Sequence, residues 1–162
     1  MAVYDVAFGK RLAEAANMVM AEGLVELDAQ RTVLYLSLLS AEITLKALLE
    51  RAGKPESEIR ERCHRLKKLI SDLCQCEVEI EIAPRTKQYV PASRICSIPL
   101  SHRGAQTTVG AVIDAETEGA SIYPNQVRYG EVLRHFPADV AAQMAAKVSE
   151  FAYEHWHSVR IR

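Results

Sequence analysis

The feature that most constrains the fold is an apolar stretch from Val33 to Leu49 that contains only two charges, Glu42 and Lys46. Nearly every other position in it is apolar or small, so a helix over this stretch should be covered on most sides. Charged side chains are rarely buried unless they are paired. Glu42 precedes Lys46 by four residues, the order and spacing that favour an ion pair on one helix face. The sequence therefore predicts a buried pair, either isolated at the edge of a helical core or part of a larger polar cluster.

Composition limits the functional classes. The chain has 20 lysine and arginine residues against 21 aspartate and glutamate residues, so no overall field draws it to nucleic acid or a membrane, although local patches remain open. It has no stretch of 18 uncharged apolar residues, and its first ten residues lack the features of a signal peptide. A length of 162 residues fits one domain. We therefore expect a cytoplasmic protein whose residues 1–162 form a single domain.

Apolar periodicity and capping residues predict the first three helices. One covers about Tyr4 to Glu22 and the next about Leu27 to Ala52, and each is followed by a glycine suited to a helix end. The third begins near Ser57. Its apolar residues recur at alternating steps of four and three: Ile59, Cys63, Leu66, Ile70 and Leu73. Such a narrow stripe is typical of a helix that packs against another helix.

A fourth helix is predicted from near Pro137 to about Val159, because proline suits the first helical turn. Its apolar stripe consists of Val140, Met144, Val148, Phe151, Ala152 and Trp156. The end of this helix is rich in ring-bearing side chains, namely Tyr153, His155, Trp156 and His157. Tyrosine and tryptophan are favoured at protein interfaces. We therefore predict a homodimer that uses this helix or the insert that precedes it.

The periodicity changes in that insert, at about residues 78–122. Glu77 to Ile82 alternates strictly between acidic and apolar residues, which indicates a strand that ends before Pro84. Thr107 to Ile113 could form another short strand. The predicted fold class is therefore mainly α: an antiparallel four- to five-helix up-and-down bundle with a small β-hairpin or extended insert before the last helix.

The four cysteines invite a metal-site interpretation that their spacing does not favour. Structural zinc sites use ligand pairs separated by two to four residues. Cys74 and Cys76 have one residue between them, Cys63 belongs to the apolar stripe, and Cys96 lies far along the chain. In a chain without a secretion signal such cysteines are read as free thiols. We expect no metal and no cofactor.

A basic run extends from Arg60 to Lys68 and contains five lysine and arginine side chains, His64 and a single acid. On one helix, Arg60, His64, Lys67 and Lys68 would gather on the side away from the apolar stripe. Such a run is often only a solvated face. It is also the composition of a surface that contacts the phosphates of a nucleic acid. The acidic residues Glu77, Glu79 and Glu81 follow and could instead pair with this face, within the fold or in a dimer.

Arg128 and His135 are candidate catalytic residues. Histidine can act as a general acid or base near neutral pH, and arginine can hold a phosphate with two hydrogen bonds, so the two could support RNA cleavage without metal. Pro137 disfavours helical geometry at the residue before it. His135 is therefore expected in the turn before the last helix, and the two residues need not share one helix face.

Several of these motifs together resemble the HEPN (higher eukaryotes and prokaryotes nucleotide-binding) family. The resemblance rests on Ala41-Glu42 and Lys46 in an apolar helix, the pattern His64-x-Leu66-x-x-Leu69, the dipeptide Arg128-Tyr129, and a long alanine-rich last helix. It covers most of the chain outside the insert. It implies a helical bundle, dimerisation, and association with nucleotide or RNA, and many family members pair with a nucleotidyltransferase.

The resemblance leaves two functions open. One family branch consists of metal-independent endoribonucleases of toxin or defence type that use an arginine and a histidine, at a spacing that Arg128 and His135 match. The dipeptide Arg128-Tyr129 resembles the motif of a branch not known for cleavage. We expect a binding and dimerisation module, with the endoribonuclease as the alternative. We also expect Glu42 to lie near His64 or Arg128, as well as near Lys46, in one polar cluster that includes Tyr129.

Overall fold

The computed structural model describes residues 3–119 and 137–162, which form a mainly helical structure with small antiparallel sheets, as the sequence predicted. The helices are α1 (Val6–Glu22), α2 (Leu27–Arg51), α3 (Glu56–Glu61), α4 (Leu66–Leu73), α5 (Val109–Gly119) and α6 (Ala138–His155). The strands are β1 (Cys76–Ala83), β2 (Thr86–Pro91), β3 (Pro99–His102), β4 (Ala105–Thr108) and β5 (Arg160–Ile161), and a 3₁₀-helix spans Ala92–Ser97.

Helices α1 and α2 form an antiparallel hairpin. Glu50, near the end of α2, accepts hydrogen bonds from the backbone N–H groups of the two residues before Asp5, which caps α1. Midway along, the Ser40 hydroxyl donates to the Gly9 carbonyl at 2.6 Å. The turn between the helices begins at Gly23, whose φ of 116° is readily adopted only by glycine. The predicted glycine at the end of α1 is thus confirmed.

Gly9 sets how closely the hairpin packs. A Cβ atom at this position would lie 2.3 Å from Thr44 Oγ1 and 3.3 Å from the Thr44 backbone nitrogen. We expect Gly9→Ala to lower the free energy of unfolding by about 1–3 kcal/mol, because forced overpacking outweighs the better helix propensity of alanine. Urea unfolding should measure the loss. In the double variant Gly9→Ala/Thr44→Ala the loss of stability should be smaller than the sum of the losses in the two single variants, since the Thr44 hydroxyl that blocks the new methyl group is gone. A loss equal to that sum would contradict this packing.

Helix α2 is the centre of the core and packs on α1, α4 and α6. Its fully buried side chains include Leu34, Leu38, Leu45, Leu48 and Leu49. Among the described helices, α2 alone is long and apolar enough to cross a membrane by length and composition. However, 72% of its most apolar window is buried within the fold, as in the core helix of a soluble protein.

The apolar stripe predicted for the last helix faces this core: Val140, Met144, Val148, Phe151 and Ala152 are buried, and Trp156 is partly buried. The helix ends at His155, before the predicted end near Val159. Some of the residues expected to serve an interface are buried too. His155 is 5% exposed and lies edge-on to Phe151, and burial lowers its pKa. Val159 is buried as well, whereas Tyr153 stays 44% exposed. The aromatic end of α6 therefore belongs in part to the core of its own chain.

The single third helix predicted from the sequence is wrong. The chain forms α3 and α4 with a turn between them, in which Cys63 has a φ of 50°. Cys63 is exposed, whereas the other four residues of the predicted stripe are buried. A positive φ is uncommon for any residue except glycine, and cysteine gives no sequence signal for it. His64 consequently precedes α4 and does not lie within a helix.

The insert contains more structure than a hairpin. Strand β1 contains the predicted strand and pairs antiparallel with β2 on one side and β5 on the other, while β3 and β4 form a separate hairpin. The second short strand suggested at Thr107 to Ile113 is correct only for its first two residues, because β4 ends at Thr108 and α5 begins at Val109. The Thr108 hydroxyl accepts a hydrogen bond from the Ala111 backbone N–H and so caps this helix.

Candidate functional site

The centre of the candidate site is a polar cluster formed by Glu42, Lys46 and His64. One carboxylate oxygen of Glu42 accepts a hydrogen bond from Lys46 Nζ at 2.7 Å. Its other oxygen lies 2.9 Å from Nδ1 of His64. The side chain of Glu42 is 4% exposed and that of Lys46 is 9% exposed, whereas that of His64 is 46% exposed. The cluster thus runs from the core to the surface, and the histidine is its exposed end.

Helix geometry and the α3–α4 turn each supply part of the cluster. Glu42 and Lys46 are adjacent on one face of α2 because they are four residues apart. His64 reaches Glu42 from the turn, 22 positions along the chain. The Lys46 ammonium also lies 5.5 Å from the ring centroid of Tyr4, where the aromatic face can stabilise a cation that has little access to water. The buried charges of α2 are thereby paired, as the sequence required.

These contacts agree with the expectation that Glu42 meets both Lys46 and His64. Arg128, Tyr129 and His135 lie outside the described residues, so the predicted proximity of Glu42 to Arg128, and the catalytic role of Arg128 and His135, stay predictions. The function of the cluster likewise stays a prediction.

The turn that carries His64 is held by an ionic network that the sequence did not suggest. Arg62 donates two hydrogen bonds to Asp72, at 2.7 and 3.3 Å, and this pairing raises the pKa of its guanidinium. Lys54 lies 3.4 Å from the same carboxylate and 3.1 Å from that of Glu58. The network joins the start of α3 to the end of α4. Because ten residues separate Arg62 from Asp72 and the helix is broken between them, no helical spacing could have signalled the pair.

The basic residues proposed for phosphate contact do not share one helix face, which corrects the sequence-based expectation. Arg60 lies on α3 and pairs with Glu56 of the same helix. Lys67 and Lys68 lie in the first turn of α4, on its exposed side, three and four residues after His64. Lys67 Nζ lies 3.3 Å from the Asp114 carboxylate on α5. The break at Cys63 separates the two groups, and the lysines follow His64 on the α4 side of the break.

The acidic residues of β1 pair with other partners within this chain. Glu77 lies 2.7 Å from Arg160 of β5, and Glu79 lies 3.2 Å from Lys87 of β2. Both partners belong to the sheet, because strand pairing brings them beside β1. The acidic strand is therefore neutralised mainly within its own sheet.

The cysteines are not arranged as a metal centre. Within residues 3–119 and 137–162, no group of three or more histidine, cysteine, aspartate or glutamate side chains is placed to hold a metal ion. Burial raises the pKa of the Cys76 thiol, and burial is also the largest cause that raises the pKa of Cys96 to about 12. Both thiols are thereby kept protonated, and protonated thiols are poor nucleophiles and poor metal ligands.

A second histidine–carboxylate pair was also missed from the sequence. His102, at the end of β3, lies 2.6 Å through Nδ1 from Asp139 in the first turn of α6. Both side chains are about a quarter exposed, at 28% and 27%. The pair ties the β3–β4 hairpin to the last helix. The 37 positions between the two residues left no local pattern that could reveal it.

Comparison with protein-family models, with curated proteins and with solved structures finds no match to this chain.

Proposed function

We propose that this protein is a HEPN-like module, an up-and-down helical bundle that binds nucleotide or RNA in the cytoplasm. In this proposal it forms a homodimer or pairs with a nucleotidyltransferase-type partner. The observation that carries it is the polar cluster: a buried carboxylate in the core helix, held by Lys46 and joined to a histidine that reaches the surface just before the start of α4, where two exposed lysines follow in sequence. An arrangement that serves stability alone does not need a solvent-accessible histidine at its end.

The chemistry of the cluster fits a polyanion. Lys67, which pairs with Asp114, and Lys68 supply positive charge on the exposed first turn of α4, and the ring of His64, three residues earlier, is partly accessible to a ligand. Glu42 holds the imidazole from the buried side, and a carboxylate that orients a histidine in this way fixes the direction of its other ring nitrogen. The site would therefore take phosphate groups along α4, with His64 as a hydrogen-bonding partner.

We expect modest and strongly salt-dependent affinity, because the net charge of the chain is only −1 and the attraction is local. Lys67→Glu/Lys68→Glu should weaken binding of a fluorescent single-stranded RNA, measured by anisotropy over a series of salt concentrations. For each lysine–phosphate interaction that the substitutions remove, the plot of log K against log salt should flatten by about one unit. Far-UV circular dichroism should be unchanged, since both side chains point to solvent.

The matched control is Lys10→Glu/Lys147→Glu. These lysines are also exposed on helices and each lies in one ion pair, with Glu14 and Glu150, but they are on α1 and α6. The control variant should bind RNA with nearly the affinity of the wild type, with only a small loss of affinity that is similar at every salt concentration. Equal weakening by both double variants would mean that net charge alone governs binding. If neither nucleotide nor RNA binds at low salt, the proposal is wrong and a protein-partner role replaces it.

The alternative is a metal-independent endoribonuclease that uses Arg128 and His135. It is tested by incubating RNA with the purified protein in EDTA. Cleavage that is abolished by Arg128→Ala and by His135→Ala, with the fold intact, would replace the binding proposal by the catalytic one. Retention of intact RNA under these conditions favours the binding module.

A further inference from the structure

Within the part of the chain that the structure describes, strand β2 lies at the edge of its sheet. The sheet order is β2–β1–β5, so β2 pairs with β1 on one side only. Five of its six residues are exposed. Among the described elements, β1 is the only strand that pairs with it. Unpaired N–H and C=O groups along such an edge are a template for the addition of another strand.

The outer face of this sheet has a defined charge pattern. The strand register places Glu79 opposite Tyr89 and Glu81 opposite Lys87. Lys87 Nζ lies 3.2 Å from the carboxylate of Glu79, and the guanidinium carbon of Arg160 lies 3.5 Å from the Tyr89 ring centroid. Acidic, aromatic and basic side chains therefore alternate across the face. A lysine on an edge strand ordinarily discourages strand addition, so a strand added here must give Lys87 a suitable neighbour.

We infer that the partner at this edge is a second copy of the same chain, joined through antiparallel β2–β2 pairing centred on Gln88. This inference rests on the homodimer in the proposed function and gives it an interface. In this register Lys87 of each copy lies opposite Tyr89 of the other. Arg160 already lies on one face of that ring, so the ammonium would contact the other face. Pairing centred on Lys87 would instead place two lysines directly opposite each other.

The same register completes the charge pattern of the face. Continuing across the dimer, the side chains run Glu79, Tyr89, then Lys87 and Glu81 of the second copy, so that along the strands no two like charges are directly opposed. The five residues from Thr86 to Val90 pair with their counterparts in reverse order. The result is a continuous sheet of six strands, three from each copy. Self-complementarity of this kind is what a two-fold symmetric interface requires.

The test is a cysteine crosslink at the symmetry axis. Directly opposed residues of an antiparallel pair have Cα atoms about 4.5–5.5 Å apart, within the range of a disulfide. In a Cys63→Ser background, which removes the exposed native thiol, Gln88→Cys should yield a disulfide-linked dimer on mild oxidation. The matched control is Thr86→Cys, which is exposed on the same face of the same strand but lies four residues from its counterpart in this register.

We expect a covalent dimer from Gln88→Cys and at least tenfold less from Thr86→Cys, with a dimer of the wild type by light scattering at high micromolar concentration. A monomeric wild type would overturn the inference. A dimer without the Gln88→Cys crosslink, or equal crosslinking at both positions, would also overturn it. The crosslink is measured without RNA. A protein that fails to bind RNA could therefore still form the crosslink, and a missing crosslink would not count against RNA binding.

Discussion

Replacing Glu42 by alanine is expected to lower the free energy of unfolding by about 3–5 kcal/mol, the cost of removing one partner of a buried ion pair. The side chain of Lys46, only 9% exposed, would lose its carboxylate and keep the Tyr4 ring 5.5 Å from its ammonium. His64 would lose its buried partner at the same time. Equilibrium unfolding in urea should show the loss as a lower midpoint with little change in slope.

Two controls show whether this loss comes from an isolated buried charge. The double variant Glu42→Leu/Lys46→Met should recover most of the stability, because apolar side chains of similar size can replace a buried pair at little cost. Glu14→Ala removes the acid of the Lys10–Glu14 pair, which has the same four-residue spacing but side chains 50% and 59% exposed. It should cost no more than about 1 kcal/mol. If Glu42→Ala lowers the free energy of unfolding no more than Glu14→Ala does, water must reach the Glu42–Lys46 pair.

Leu45→Ala is expected to destabilise the protein by about 2–5 kcal/mol. Leu45 is fully buried in α2, the helix that contacts α1, α4 and α6, so the cavity left by truncation is enclosed on all sides. The loss of stability is larger the less the neighbouring side chains move into that cavity. Thermal and urea unfolding should both report the change.

The matched control lies at the start of the same helix. Leu27 is 53% exposed, so Leu27→Ala removes the same atoms without leaving a cavity and should change stability by about 0.5 kcal/mol or less. Equal effects of Leu27→Ala and Leu45→Ala would contradict the assignment of α2 as the core helix.

Much of the fold follows from patterns within single segments. The ends of α1 and α2 were predicted from the glycines that follow them, because glycine readily adopts the positive φ that ends a helix. In the structure Gly23 and Gly53 have φ values of 116° and 100°. The buried stripe of α6 was predicted because its spacing follows the helical repeat. For the same reason the alternation of β1 was recognised as a strand.

Segments that depend on distant contacts were predicted less well. Thr107 to Ile113 contains β-branched residues that favour a strand, but the Thr108 hydroxyl caps a helix instead. Gly110 lets that helix approach the 3₁₀-helix closely, since a Cβ there would lie 2.9 Å from Cys96 Cβ. The cap is a local contact that strand propensity does not reveal, whereas the approach to Cys96 is a tertiary contact of the kind that commonly overrides propensity.

In the candidate site, too, one part is predicted by the sequence and another part is created only by the tertiary structure. The residue pattern alone requires Glu42 and Lys46 to be adjacent and buried, because helix periodicity fixes their relative position and the apolar residues around them fix their environment. The turn at Cys63, which brings His64 to the other oxygen of Glu42, emerges only when the segments are packed together. That turn is held by Arg62 and Asp72 together with Lys54. The difference arises because helical spacing acts within one segment, whereas a bond between segments depends on how each of them packs on the core.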